Sequence, residues 1–414
     1  MKLTLLKSLN NLDIFNIFIL GIASGLPLAL VFSTLSIWLK ELGLSKTTIG
    51  LFAFVSTPYT LKFLWSPLID GIKLPYLYNK LGLRKSWLFL VQILLFISIF
   101  LFSKFSPLEH IFIIALLAFL VSFFSASQDI VIDAYRVELF RIEDQGIAAS
   151  LFVYGYRIGM LISSAGALII AEKFDFHFSY QIMAILFLLF AFNSFFLNQT
   201  KEQSREKYKG LENWLVQYVK NPFVDFKNNE NFILILFFII LYKLGDAFAG
   251  IMTAPFILEL GFTKVDIAFY VKTVGLIATL VGSILGALLV KAYNLPKALL
   301  IAGILQLITN LIFCAQAYIG KDHLFLALTI SAENLAAGIG TIVFVAYISS
   351  LCNLKFSATQ YALLSSVAAI SRTWLSSSSG FIAEKINWIE FFAFSSLLAL
   401  PALILLYFIR SKKI

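Results

Sequence analysis

Charge is what this chain has least of. Asp, Glu, Lys and Arg make up 13% of its 414 residues, against 60% hydrophobic residues, and the mean hydropathy is +0.90. A water-soluble globular protein has no way to hide so much apolar surface, so the composition implies a polytopic membrane protein. Cysteine is nearly absent. Cys314 and Cys352 both close apolar runs, read as small hydrophobes and exclude a disulfide framework. The three histidines, His110, His177 and His323, are scattered among expected outside loops, and no His-Glu-x-x-His occurs, so no metal centre is expected. There is no Walker A loop to couple ATP. No extramembrane segment is large enough for a conventional active site, and no basic soluble domain could seat nucleic acid despite the net charge of +9. Met1 to Asp13 is polar and the first apolar run is long enough to span, so no cleavable leader is expected. The 43 phenylalanines read mostly as lipid-facing bulk.

What is present is a series of apolar runs of bilayer-spanning length. They fall near 14–38, 47–68, 86–103, 110–131, 146–171 and 178–197, then near 232–257, 264–290, 297–318, 325–351, 358–384 and 388–409. A polar stretch, 198–231, separates the two sets. The expected organisation is an amino-terminal six-helix bundle over 1–197, a central loop over 198–231 and a second six-helix bundle over 232–414. Of the 32 Lys and Arg, 20 fall on the side of the termini and central loop, seven on the other side and five inside helices. Positive charge concentrates on cytoplasmic loops, which puts both termini in the cytoplasm.

The halves repeat. Glu41-Leu42-Gly43-Leu44-Ser45-Lys46-Thr47-Thr48-Ile49 follows helix 1, and Glu259-Leu260-Gly261-Phe262-Thr263-Lys264-Val265-Asp266-Ile267 follows helix 7, with five of nine positions identical. A second echo links helices 5 and 11: Arg157 precedes Ala171-Glu172-Lys173 as Arg372 precedes Ala383-Glu384-Lys385. The expected fold is therefore an all-α membrane protein of twelve helices in two pseudo-symmetric six-helix bundles. This is the major facilitator plan, with the substrate between the halves near the midplane.

Ionisable groups inside such helices are costly and by default mark a pathway. Nine are expected within helices or at their edges: Lys62, Asp129, Asp133, Arg157, Lys243, Asp246, Lys272, Glu333 and Arg372. Asp129 and Asp133 are one turn apart on one face of helix 4. Two such carboxylates repel when both are ionised, which suits a proton carrier; the alternative is that Asp133 pairs with Arg136 or Arg141 as a structural gate. Glu333 and Asp246 are further proton-coupling candidates. Arg157 and Arg372 lie mid-helix at corresponding places and can grip carboxylates bidentately, or else form salt bridges to Asp129 or Glu333. Lys243 pairs in sequence with Asp246 at i, i+3 on helix 7, where Gly245, Gly250 and Pro255 suggest a gating bend. Lys62 and Lys272 can snorkel or bind substrate. Ser163-Ser164-Ala165-Gly166 and Ser376-Ser377-Ser378-Ser379-Gly380 read first as close-packing surfaces. Between helices 2 and 3, Asp70 at one end and Arg84-Lys85 at the other can latch the cytoplasmic face.

Three stretches resemble the AmpG-type muropeptide permeases of the major facilitator superfamily. They are Ser127-Gln128-Asp129-x-x-x-Asp133-Ala134-Tyr135, Gly21-x-x-x-Gly25-Leu26-Pro27, and the loop with Pro67, Asp70, Gly82, Arg84, Lys85 and Trp87 followed by Gln92. The resemblance covers most of the amino-terminal half in detail and the other half through topology and length. It implies proton-coupled import of anhydromuropeptides, anionic glycopeptides of cell-wall turnover, from the periplasm. It also implies a multi-pass protein of the cell inner membrane that works as a monomer with a small-molecule substrate, protons and lipid, and with no cofactor. Substrate-facing residues under this reading are Arg157, Arg372, Lys243, Gln128 and Lys62. Asp129, Asp133, Glu333 and Asp246 couple protons, while Asp70, Arg84 and Lys85 gate. Family members can carry extra helices, whereas this chain has room for twelve. A rival reading is a major facilitator transporter of another anion, such as acetyl-coenzyme A or a nucleotide-like metabolite. From other classes come a membrane-embedded enzyme, which the lack of a catalytic constellation opposes, and a muropeptide sensor that binds without transport.

Overall fold

The computed structural model describes residues 11–44, 48, 52–200, 211–228 and 231–411, and among these no strand occurs. Among the described residues ten helices are long and apolar enough to cross a membrane: Asn11–Glu41, Leu77–Phe102, Ile111–Leu139, Ile142–Lys173, Phe176–Asn193, Phe232–Glu259, Val265–Ala292, Leu295–Ile319, His323–Ser350 and Trp388–Ile409. In chain order these are helices 1, 3, 4, 5, 6, 7, 8, 9, 10 and 12. Helices 2 and 11 occupy 52–71 and 357–383, each broken into short α, 3-10 or π segments. The continuous spans expected there need correction. Pro58 and Pro67 each open a new segment of helix 2, because proline supplies no N–H to the turn before it. The central polar stretch is also more ordered than a loop, with helical turns from Leu211 to Lys227.

Several helix starts are written in the sequence. Asp175, Asn294 and Asp322 each accept a hydrogen bond from the backbone N–H three residues on, and Asn387 forms a reciprocal capping box with Glu390. The sequence repeat is a repeated helix stop. Gly43 and Gly261 both take positive φ, 78° and 85°. The next residue in each case reaches back to a carbonyl five positions earlier, Leu44 N–H to Leu39 and Phe262 N–H to Ile257. A side chain strains that left-handed turn, so both halves place glycine there.

The chain groups into two compact units. The first comprises Met1–Arg141, Leu151–Pro222 and Cys352–Ala362; the second comprises Ile142–Ser150, Phe223–Leu351 and Leu363–Ile414. In the first, helices 1 and 5 touch backbone to backbone. A Cβ added at Gly21, Gly25, Gly155 or Gly159 would overlap carbonyl oxygens of Phe152, Tyr156, Phe18 or Ile22. Glycine is what permits this approach, since lipid gives no hydrophobic drive and helices associate through close packing. Trp38 anchors the core of this unit, stacked on Phe176 and flanked by Tyr180 and Phe102. In the second unit Phe256, Phe313, Phe391 and Phe392 form a fully buried cluster with Trp388 against it. The phenylalanines thus divide between exposed positions such as Phe112 and these cores.

π-Helical turns interrupt helices 1, 5, 8 and 11, at Leu30–Thr34, Ile162–Gly166, Ala268–Val274 and Ser371–Leu375. Such turns free backbone carbonyls and cluster at functional sites. Two of these carbonyls are taken up within the first unit, Ser163 by the Thr34 hydroxyl and Leu30 by the Tyr180 hydroxyl.

Candidate functional site

Helix 4 carries the densest polar chemistry of the first unit. Its helix runs to Leu139, eight residues beyond the expected end of its apolar run, because the charges on its last turns are satisfied. Asp129 accepts from the Ser24 hydroxyl of helix 1. Asp133 lies 3.7 Å from the Lys62 ammonium and 3.6 Å from the Arg136 guanidinium. Lys62 therefore pairs across helices rather than snorkelling. Arg136, of the two arginines weighed for Asp133, is the partner, and its guanidinium packs 5.3 Å from the centre of the Tyr361 ring. Gln128 is fully buried and spends its amide N–H on the Ala23 carbonyl, which ties helix 4 to helix 1. Trp65 donates its indole N–H to Ser127.

Two turns further along, Arg84 makes the strongest ion-pair network among the described residues. Its guanidinium sits 2.6 Å from Asp70 and 2.6 Å from Glu138, and it also reaches the Ser357 hydroxyl. The other oxygen of Asp70 accepts from both the backbone N–H and the hydroxyl of Thr359. Asp70 is thus a carboxylate held at the start of helix 11, where unpaired N–H groups and the helix dipole favour negative charge. Glu138 and Ser357 were not singled out from sequence. Glu138 lies five residues after Asp133, and a charged pair that close to a helix end reads as surface until its partners are known. Lys85, expected to share the latch, does something else: its ammonium binds the carbonyls of Leu197 and Phe195 beyond the end of helix 6. A cation there satisfies carbonyls that no helical N–H can reach.

Helix 5 places Arg157 at its middle, exposed, two residues from Gly155 and Gly159 on the face away from helix 1. Among the described residues no ion pair or hydrogen bond involves it. The salt bridge to Asp129 weighed for it from sequence does not form among the described residues. A guanidinium mid-span without a partner requires water or an anion beside it. Arg372 lies in the π turn Ser371–Leu375, with its side chain outside the described ones.

In the second unit helix 7 breaks at Tyr242–Lys243, one turn earlier than Gly245, Gly250 and Pro255 suggest. The break makes Lys243 the first flanking residue of the following helix and brings its ammonium 2.8 Å from Asp246. It also reaches the Ala337 carbonyl of helix 10. Glu333, on helix 10, accepts from Asn334, whose own oxygen accepts from Thr279 of helix 8. Gly338 allows helix 8 to lie against this stretch. Lys243 is thus the ion-pair partner of Asp246, while Glu333 is held by Asn334. Lys272 is exposed within the π turn of helix 8.

This architecture, with intramembrane charges in both units and a repeated helix stop, defines a secondary transporter. The chain belongs to the major facilitator superfamily, whose model matches residues 17–374, and within it to the AmpG-type permeases. It is 40% identical to AmpG 4 of Rickettsia conorii over 98% of both chains. It is also 40% identical to the anhydromuropeptide permease of Escherichia coli, over 95% of this chain and 78% of that one. Among solved structures it resembles FucP in the outward conformation, with a TM-score of 0.73 at 13% identity, covering 96% of this chain and 97% of that one. The proton:xylose symporter XylE matches with a TM-score of 0.68 at 13% identity, over 96% of each chain.

Proposed function

We propose that this chain imports anhydromuropeptides across the cell inner membrane by proton-coupled alternating access, as a monomer with both termini in the cytoplasm. The observation that carries this reading is Arg157, an exposed, unpaired guanidinium in the middle of an apolar helix. A muropeptide brings free carboxylates that match it bidentately. Arg372, its sequence counterpart, holds a second carboxylate. Lys243 offers a third cation, drawn off Asp246 when substrate arrives. The likeness to the E. coli anhydromuropeptide permease supports this substrate class.

Asp129 takes the coupling proton, with Glu333 and Asp246 as the corresponding acids of the second unit. Asp133 is committed to Lys62 and Arg136 and acts in the gate. Asp70 and Arg84, with Glu138, complete that gate at the start of helix 11. Lys85 supports it by fastening helix 3 to the end of helix 6. No side chain here is asked to make or break a covalent bond, which is transport rather than enzyme chemistry.

Uptake of labelled anhydromuropeptide into proteoliposomes under an imposed pH gradient tests the reading. Saturable, gradient-dependent uptake that unlabelled muropeptide displaces is the expected outcome. Displacement by acetyl-coenzyme A with no effect of muropeptide would remove the substrate assignment.

A further inference from the structure

We infer that helix 4 carries a hydrated proton path that reaches Asp129 from the Ile111 side, built from the hydroxyls of Ser122, Ser125 and Tyr59. This rests on the reading of Asp129 as the proton-binding carboxylate. Ser122, Ser125, Asp129 and Asp133 fall at i, i+3, i+7 and i+11, one face of the helix. Ser122 and Ser125 are fully buried, and neither hydroxyl has a hydrogen-bond partner among the described residues. They share this with Ser366 and Ser379 of helix 11. Ser98, Ser127, Ser150, Ser163, Ser164 and Ser349 all donate to a carbonyl one turn back in their own helices. The two serines facing Asp129 leave this local bond unmade.

Other unsatisfied polar atoms converge on the same place. The Tyr59 hydroxyl of helix 2 is buried, faces the Ser125 hydroxyl and lies beside Asp129 and Tyr156. Gln128 has spent its N–H on Ala23 and keeps an unpartnered carbonyl oxygen. Leaving one such group dry costs about 1–3 kcal/mol, and four together recruit water, which makes about three hydrogen bonds per molecule. Hydroxyls and water both donate and accept, so each can take one proton and release another.

The path has a direction. From Ser122 to Asp129 the rise is about 10 Å, and the polar side chains on this face before Asp129 are the neutral hydroxyls of Ser122 and Ser125. On the Leu139 side of Asp129 stand the Lys62 ammonium and the Arg136 guanidinium, held by Asp133. Fixed cations repel an arriving proton, so Asp129 is loaded from the Ile111 side. In that step a hydrated proton beside Ser122 leaves its water, each hydroxyl passes one on and ends unchanged, and an O–H bond forms on the Asp129 carboxylate, which becomes neutral.

The test reads proton access without substrate. In reconstituted protein, infrared spectroscopy identifies the protonated Asp129 carbonyl band by its loss in Asp129→Asn. The exchange rate of that band is then followed after transfer to heavy water. Ser122→Ala with Ser125→Ala should slow exchange at least about tenfold, Tyr59→Phe should slow it by itself, and Ser125→Thr, which keeps the hydroxyl, should restore it. Unchanged exchange in both the serine double variant and Tyr59→Phe overturns the path, as does the lack of any band lost in Asp129→Asn. With labelled anhydromuropeptide, gradient-driven uptake should fall about tenfold more than exchange of substrate across the membrane without a gradient. Equal loss in both modes indicates a packing role and overturns the proposal, as does uptake driven by a sodium gradient alone. If the wild-type protein takes up no muropeptide, the substrate reading fails while the infrared result still decides the path.

Discussion

A guanidinium in mid-membrane and a guanidinium locked between two carboxylates obey the same electrostatics with opposite consequences. Arg157 is exposed and unpaired, so its removal should act on binding. Arg157→Ala is expected to raise the KM for uptake by at least tenfold, the loss of a charge-assisted interaction of about 1.5–3 kcal/mol, and Arg157→Lys should recover part of it. Arg84 is buried with Asp70 and Glu138, so its removal should act on stability. Stranding two buried acids costs about 3–5 kcal/mol, and Arg84→Ala should lower the thermal unfolding midpoint in detergent more than Arg157→Ala does. The sequence showed Arg157 as a charge within a helix and Arg84 as a loop charge that could latch onto Asp70. It could not show the rest of the Arg84 network, because Glu138 and Ser357 are 219 residues apart and meet Arg84 only in the folded chain.

Glycine separates the elements into those that must touch and those that need not. A Cβ at Gly25 or Gly159 meets backbone oxygen, which cannot turn aside. Gly25→Ala and Gly159→Ala should each cost about 1–3 kcal/mol as overpacking, visible as loss of folded protein on size-exclusion chromatography after mild heating. Gly250 has nothing within 4 Å of its added Cβ. Gly250→Ala should leave that profile unchanged or improve it by about 0.4–1 kcal/mol. The spans themselves were legible from hydropathy, and the helix 4 acids from their one-turn spacing. Breaks were not. Helix 7 turns at Tyr242–Lys243 in a run with no glycine or proline, where the Tyr242 hydroxyl binds the Leu299 carbonyl and fixes the bend from outside its own sequence. The same limit hid the π turns, whose freed carbonyls are answered by hydroxyls far along the chain.

For the molecule as a whole, the sequence repeat revealed two halves, and their composition as compact units was beyond it. Residues 352–362 of the second half cluster with the first unit, and 142–150 of the first half with the second. Cys352 stands at the edge of the former stretch, and burial raises its thiol pKa above the ordinary value. Less thiolate means slower alkylation, so maleimide labelling at neutral pH should be slow and should accelerate steadily into the alkaline range. If the stretch leaves its unit during transport, substrate should change the Cys352 rate while Cys314 serves as internal control. A rate indifferent to substrate would mean that 352–362 stays in place throughout the cycle.

The exchange of short stretches between units also bears on how the protein is assembled. A cut in the central region would yield two fragments, each missing a piece of its own body and holding a piece of the other's. Neither should mature alone. Made together in one cell, they should rescue each other, and the biosynthetic completion of the first unit has to await the synthesis of residue 362.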